Sequence, residues 1–327
     1  MNYRAVFNII GKVLCVASVF MIPALIISLC LRENAGAFGL AVSIVIGAAV
    51  GLPLARMKPK RKDIYAREGM VTVGLAWVFV SMLGALPFLF SGAIPNYIDC
   101  VFETVSGFTT TGATILTEIE HLPRGILYWR SFTHWLGGMG VLVFLLILNP
   151  LADKNTGEGM HLLRAESPGI KASKLVPRMR DSATILYLIY IGLTVLEFLL
   201  LVVGRMPVFD AVCLTFGTAG TGGFGVLNDS VASYSPYCQW VITAFMLLFG
   251  VNFNIYFLLL IKKYRFALKN EELFVYLGVV AAAILIISIS ILDRFATVEE
   301  TVRAASFQVA SIISTTGFST ADFDRWP

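Results

Sequence analysis

Charge is scarce in this chain. Asp, Glu, Lys and Arg make up 14% of its 327 residues, while 57% are hydrophobic, and mean hydropathy is +0.80. That balance excludes an ordinary soluble globular domain, and no nucleic-acid partner is expected. Histidine is scarcer still. His121, His134 and His161 are scattered and offer no metal site, and His134 falls in an apolar stretch where a lone histidine usually just makes a hydrogen bond. The five cysteines, at 15, 30, 100, 213 and 238, show no C-x-x-C spacing, so a structural, unpaired role is expected.

Apolar runs are what the chain has in abundance. Those long enough to cross a bilayer as helices cover 13–31, 35–55, 69–90, 131–151, 182–204, 237–261 and 273–292. The first has almost no preceding basic segment and no small-residue cleavage site after it, which makes it a retained span. With the N-terminus placed inside, Arg4, Lys12 and the loops 56–67, 154–180 and 262–269 gather most of the basic residues, whereas acids favour the outer loops. The Lys/Arg bias supports this orientation. An acidic outer face also raises the local cation concentration. The basic stretch "RMKPKRKDIYAR" (56–67) suits lipid headgroups, with a cytoplasmic partner as a secondary reading for it or for 154–180.

Three segments too short to cross, 95–108, 207–218 and 299–314, lie on the outer side. Each ends in a Thr/Gly run: "TTGAT" (110–114), "TGGFG" (221–225) and "TTGFS" (315–319). Aligned, they superimpose Gly112, Gly223 and Gly317. Asp99 and Asp210 then occupy one aligned position in the first turn of a short helix, where an acid suits the positive helix end; the third copy has Ala304. Pro95 and Pro207 are expected to open their helices at the first position, where a missing N–H costs nothing. Gly220, Gly222 and Gly225 also satisfy G-x-G-x-x-G, but a transmembrane span follows instead of the helix and acid of a βαβ unit, so a nucleotide-dependent enzyme is disfavoured.

A unit of span, re-entrant helix, Thr/Gly run and span has a chemical meaning. Irregular backbone at membrane depth is tolerated where it lines a water-filled path or is buried in protein. A half-helix entering from outside points its partially negative end inward, toward a cation. The run that climbs back presents successive carbonyl oxygens to a dehydrated ion, and glycine at φ > 0 aims adjacent carbonyls the same way. This is selectivity-filter chemistry, with no catalytic residue and no enzyme activity expected.

At these residues the sequence resembles the TrkH-type potassium uptake proteins of the Trk/Ktr/HKT superfamily. The likeness extends to "WLGGMGVLVFLLILNPL" (135–151), "LLRAESPG" (162–169), "KLVPRMRDSATILYLIYIGLT" (174–194) and "FQVASIISTTGFSTADF" (307–323). It implies an all-α integral membrane protein of four span–pore-helix–span repeats around an ion path. It also implies K⁺ as transported ion, no cofactor in this chain, a homodimer, and a cytoplasmic nucleotide-binding regulatory subunit of the TrkA kind. A multi-pass place in the bacterial inner membrane follows.

On this basis 1–67 holds two extra spans and a basic loop, 68–152 the first repeat, 153–180 a cytoplasmic linker, 181–265 the second repeat and 266–327 an incomplete third. The fourth filter strand is expected in a longer protein of which this is a fragment. The ion ligands, mainly backbone carbonyls, would be Thr110, Thr111, Gly112, Ala113, Thr221, Gly222, Gly223, Phe224, Thr315, Thr316, Gly317 and Phe318. Gly222 departs from the Thr of the other two runs. Asp99, Glu103 and Asp210 would support the pore helices, with Glu103 buttressing the filter without touching ions.

Glu197 is expected to be the one charge deep within a span, serving helix packing on the far side of its repeat from the filter. Asn252 and Asn254 are expected to hydrogen-bond between helices, with a place on the inner cavity as the lesser reading. Cation-coupled symport and Na⁺ permeation stay open as alternatives. Parallel repeats speak against the inverted-repeat transporters.

Overall fold

The computed structural model describes residues 2–58, 66–140 and 179–327. Residues 153–178 of the linker, His161 and the parts of the motifs within 141–178 lie outside them. Among the described residues all regular structure is helical, and the residues group into two compact units.

The first unit comprises residues 1–109, 113–117 and 121–187. It contains α1 (Tyr3–Phe20), α2 (Ile22–Cys30), α3 (Asn34–Ala55), α4 (Ala66–Phe90), α5 (Tyr97–Phe108) and α6 (Arg124–Gly138). The predicted span 13–31 starts earlier: α1 and α2 together run Tyr3–Cys30. A break falls at Met21, just before Pro23 enters the first turn of α2, where its missing N–H is tolerated. Small residues draw α1, α3 and α4 together. A Cβ on Gly51 would lie 2.8 Å from Cys15 Sγ, and one on Gly47 would strike Ser18 Oγ and lie 2.9 Å from Leu83. Backbones approach this closely when packing, and not water expulsion, drives helix association in lipid.

The turn after α2 reaches the first repeat. Glu33 accepts from Arg124 N at 2.8 Å and Gly125 N at 3.2 Å, capping α6 with a carboxylate where the helix end is positive. The short α5 packs on α4 because Gly84 leaves room: a Cβ there would sit 2.7 Å from Thr104 and 2.9 Å from Phe108. Trp129 of α6 closes the corner, its indole N–H donating to the Gly84 carbonyl at 3.0 Å. Its ring meets Phe108 edge-on at 6.1 Å.

The second unit comprises 110–112, 118–120 and 188–327. It holds most of α7 (Met179–Val203), then α8 (Val208–Ala219), α9 (Pro236–Gly250), α10 (Phe253–Leu260), α11 (Tyr264–Leu268), α12 (Glu271–Ser290) and α13 (Val298–Ile313). The expected continuous span 237–261 is in fact two helices, α9 and α10, bent by 89°. Val251 ends α9 in extended conformation, and Asn252 starts α10. Its side chain accepts from Asn254 N at 3.0 Å, as N-cap of α10, and donates to the Glu272 carboxylate on α12 at 3.2 Å. Tyrosine hydroxyls serve the carbonyls at the bend: Tyr276 Oη donates to Leu247 O at 3.1 Å, and Tyr256 Oη donates at 2.6 Å to Leu248 O, which also accepts from Val251 N.

The expected span 131–151 also differs at its start. Its helix begins at Arg124, and 141–151 lies outside the described residues. Five helical segments, Tyr3–Cys30, Asn34–Ala55, Glu68–Phe90, Thr184–Val203 and Glu271–Ser290, are long and apolar enough to cross a membrane, with the bent pair as a sixth. All five cysteines are free thiols.

Candidate ion site

The three short helices predicted from the sequence are α5, α8 and α13, each within two residues of its expected limits. Their N-termini are capped differently from the expectation. Pro95 precedes the cap of α5, which is Asn96, its side chain accepting from Ile98 N at 3.1 Å; Pro207 is itself the cap residue of α8. Neither proline takes the first helical position: Pro207 has φ −53° and ψ 136° just before α8, and Pro95 lies one residue before the extended Asn96. Asp99 and Asp210 do lie in the first turns. Asp210 also accepts from Tyr234 Oη at 3.0 Å. Burial first, then the nearby Asp210 carboxylate, pushes the Tyr234 phenol far above its ordinary value, so it remains a donor.

The helix C-termini share one backbone conformation. Thr110, Thr221 and Thr315 have φ of 55°, 52° and 60°, and two residues later Gly112, Gly223 and Gly317 have φ of 75°, 80° and 87°. In the second and third copies the turn is a Schellman motif. Thr221 N donates to Thr218 O and Gly222 N to Gly217 O; Thr315 N donates to Ile312 O and Thr316 N to Ser311 O. Glycine normally takes the left-handed residue of this motif. A β-branched threonine there costs about 1–3 kcal/mol, a strain that clusters at functional positions.

The second unit brings the three runs side by side. A Cβ on Gly112 would collide with the Gly222 carbonyl oxygen and lie 3.8 Å from that of Thr316. A Cβ on Gly223 would collide with the Thr316 carbonyl oxygen and lie 3.3 Å from the Gly317 carbonyl carbon. Gly112 and Gly223 are therefore required twice, by positive φ and by the carbonyl of the next run, whereas Gly317 is required by its φ alone, since a Cβ there would meet no atom within 4 Å.

The fourth positions anchor the second and third runs. Phe224 and Phe318 are buried, and Gly217 of α8 leaves the space that the Phe318 ring fills, since a Cβ would stand 2.8 Å from its tip. Phe318 O accepts from Ser311 Oγ at 2.6 Å, tying that run to its own helix. The outer loop after Gly225 ties down both neighbours. Asn228 Oδ1 accepts from Ile119 N at 3.0 Å, Ser230 Oγ accepts from Ser319 N at 3.2 Å, and Val231 N donates to Ser319 O at 3.1 Å.

Glu103 and Glu197 occupy different settings. Glu103 is buried in the first unit, where it pairs with Arg130 of α6. Glu103 lies in the short α5, as expected, but its buried partner Arg130 was not anticipated. Arg130 was missed because the span was expected to begin at 131, after it. Glu197 is fully buried on α7. Its carboxylate has no hydrogen-bond partner among the described residues, and the neighbouring Thr218 hydroxyl donates instead to Leu214 O at 2.9 Å.

Known proteins share this architecture. Residues 37–278 match the TrkH family, described as a cation transport protein. The Trk system potassium uptake protein TrkH of Salmonella typhimurium is 36% identical over the whole chain, which spans 68% of that relative. The TrkH of Escherichia coli K12 is 35% identical with the same coverage. The crystal structure of the potassium transporter TrkH from Vibrio parahaemolyticus superimposes with a TM-score of 0.86 at 27% identity, covering all of this chain and 68% of that one. The chain belongs to the TrkH family of cation transport proteins, and is a multi-pass, all-helical membrane protein.

Proposed function

We propose that the protein carries K⁺ uptake across the cytoplasmic membrane, with its three Thr/Gly runs lining a carbonyl selectivity filter. One observation supports this most: a strained Thr and a positive-φ Gly recur in three runs that lie side by side. Alternating φ in this way turns successive carbonyls toward one side, where they replace the hydration shell of an ion. Relatives named for potassium uptake support K⁺ as the cargo. The ligands on this reading are the backbone carbonyls of Thr110, Thr111 and Gly112, of Thr221, Gly222 and Gly223, and of Thr315, Thr316 and Gly317. Ala113, Phe224 and Phe318 close the outer end, where the Phe318 carbonyl also holds its strand to Ser311.

The helix C-termini add partial negative charge beneath the filter. Ions then move down their electrochemical gradient without a chemical step. The inner-membrane location, an inside N-terminus, a homodimer and a TrkA-type nucleotide-binding regulatory subunit belong to the same proposal. Rb⁺ uptake into vesicles holding the full-length protein tests it. Uptake driven by an inside-negative potential and competed by K⁺ is expected. An uptake that K⁺ does not compete, or that is strictly tied to entry of H⁺ or Na⁺, would replace it with another cargo or with symport.

A further inference from the structure

The first filter run lacks the anchor that holds the other two. In place of buried Phe224 and Phe318 it has Ala113, a single methyl group in an exposed position. Among the described residues it has a different device, built on a charge that the aligned positions of the other two runs do not carry. Glu103 of α5 and Arg130 of α6 are 1% and 2% exposed, and Arg130 Nε donates to Glu103 Oε1 at 2.6 Å. The same carboxylate accepts from Thr114 Oγ at 2.9 Å and from Ile115 N at 3.0 Å. One side chain thus ties the pore helix, the outgoing helix and the two residues that leave the filter run.

The positions aligned with Glu103 are Leu214 and Gln308, so the repeat folds without a charge there. Buried ion pairs are weak contributors to stability and are often replaceable by apolar residues, and ionisable groups among membrane helices are costly and usually functional. Thr114 is two residues from Gly112, too short a link for the backbone to absorb a displacement of the clamp.

We propose that Glu103 and Arg130 are positioning residues for the first filter strand, fixing its carbonyls where the aromatic anchors fix the others and thereby setting discrimination of K⁺ from Na⁺. Arg130 orients the carboxylate toward Thr114 and Ile115, and Glu103 cancels a cation that would otherwise repel the permeating ion. The proposal rests on the filter reading above.

The test uses the full-length protein in vesicles, with Rb⁺ uptake competed by K⁺ and by Na⁺. Thr114→Val removes one bond of the clamp and leaves the ion pair, and Thr114→Ser restores the hydroxyl. The K⁺/Na⁺ preference is expected to fall roughly fivefold in Thr114→Val, roughly tenfold or more in Glu103→Gln, and to return in Thr114→Ser. If Glu103→Gln fails to reach the membrane, Thr114→Val decides alone. Wild-type preference in Thr114→Val overturns the positioning role while leaving the filter intact; a wild-type protein without K⁺-competed uptake removes the filter reading itself.

Discussion

Replacing Gly223 by alanine puts the packing of the Thr/Gly runs to a quantitative test. Two costs arise. Alanine at the φ of 80° observed here is strained by about 1–2 kcal/mol. Its Cβ would also collide with the Thr316 carbonyl oxygen and lie 3.0 Å from the carbonyl carbon. Both are backbone atoms that cannot rotate aside, and such overpacking costs about 1–3 kcal/mol. The sum, about 2–5 kcal/mol, falls on two adjoining runs at once. Gly92 is an internal control, since its φ is 73° but no atom stands within 4 Å of a Cβ there; Gly92→Ala carries only the conformational cost. Thermal unfolding in detergent, paired with Rb⁺ uptake in vesicles, separates the two substitutions. Gly223→Ala is expected to lower both Tm and K⁺/Na⁺ preference, and Gly92→Ala to lower Tm slightly with preference unchanged. Equal effects of the two on uptake would refute the tight juxtaposition of the second and third runs.

Other outcomes follow from single contacts. Thr221→Gly relieves a left-handed β-branched residue, a gain of about 1–3 kcal/mol partly offset by the entropy of glycine. The account expects unchanged or higher Tm together with weaker ion discrimination, and full discrimination in that variant would mean the threonine is dispensable. Tyr234→Phe removes the donor to Asp210, a bond to a charged group worth about 1.5–3 kcal/mol. Because the folded phenol pKa is raised above its unfolded value, the contribution of this bond is fully present at neutral pH and is lost as pH rises from the ordinary tyrosine range upward, so wild-type Tm should fall there more steeply than that of Tyr234→Phe; identical profiles would contradict the assigned bond. Glu33→Ala uncaps α6 at a cost of about 1 kcal/mol. Its Tm should drop without any change in K⁺/Na⁺ preference; a changed preference would give Glu33 a part in conduction.

The three Thr/Gly turns were legible in the sequence because their constraints are local. A Thr/Gly run after a short capped helix marks where the chain must turn with φ > 0, and repetition removed the coincidental nucleotide motif. The limits of α5, α8 and α13 were legible for the same reason. The bend at Asn252 was not, since an apolar window averages hydropathy and cannot register a broken hydrogen-bond ladder within "FGVNFNIY". The inter-helix bond of Asn252 was anticipated and its role as a helix cap was not. The Glu103–Arg130 pair escaped because its partners lie on different helices, and a charge near the end of an apolar run is assigned to the membrane surface by default. The strained threonines were hidden differently: composition shows which residue is present, but only backbone angles show that it occupies a place usually taken by glycine.

The most direct measurement is of the ion itself. A crystal of the protein grown with Tl⁺ in place of K⁺ would show bound cations as anomalous difference peaks. The account predicts peaks on the axis shared by the carbonyls of Gly112, Gly223 and Gly317, within contact distance of backbone oxygens. A map without density there, and with its strongest peak beside a buried carboxylate such as Glu197, would contradict a carbonyl filter built from the three Thr/Gly runs.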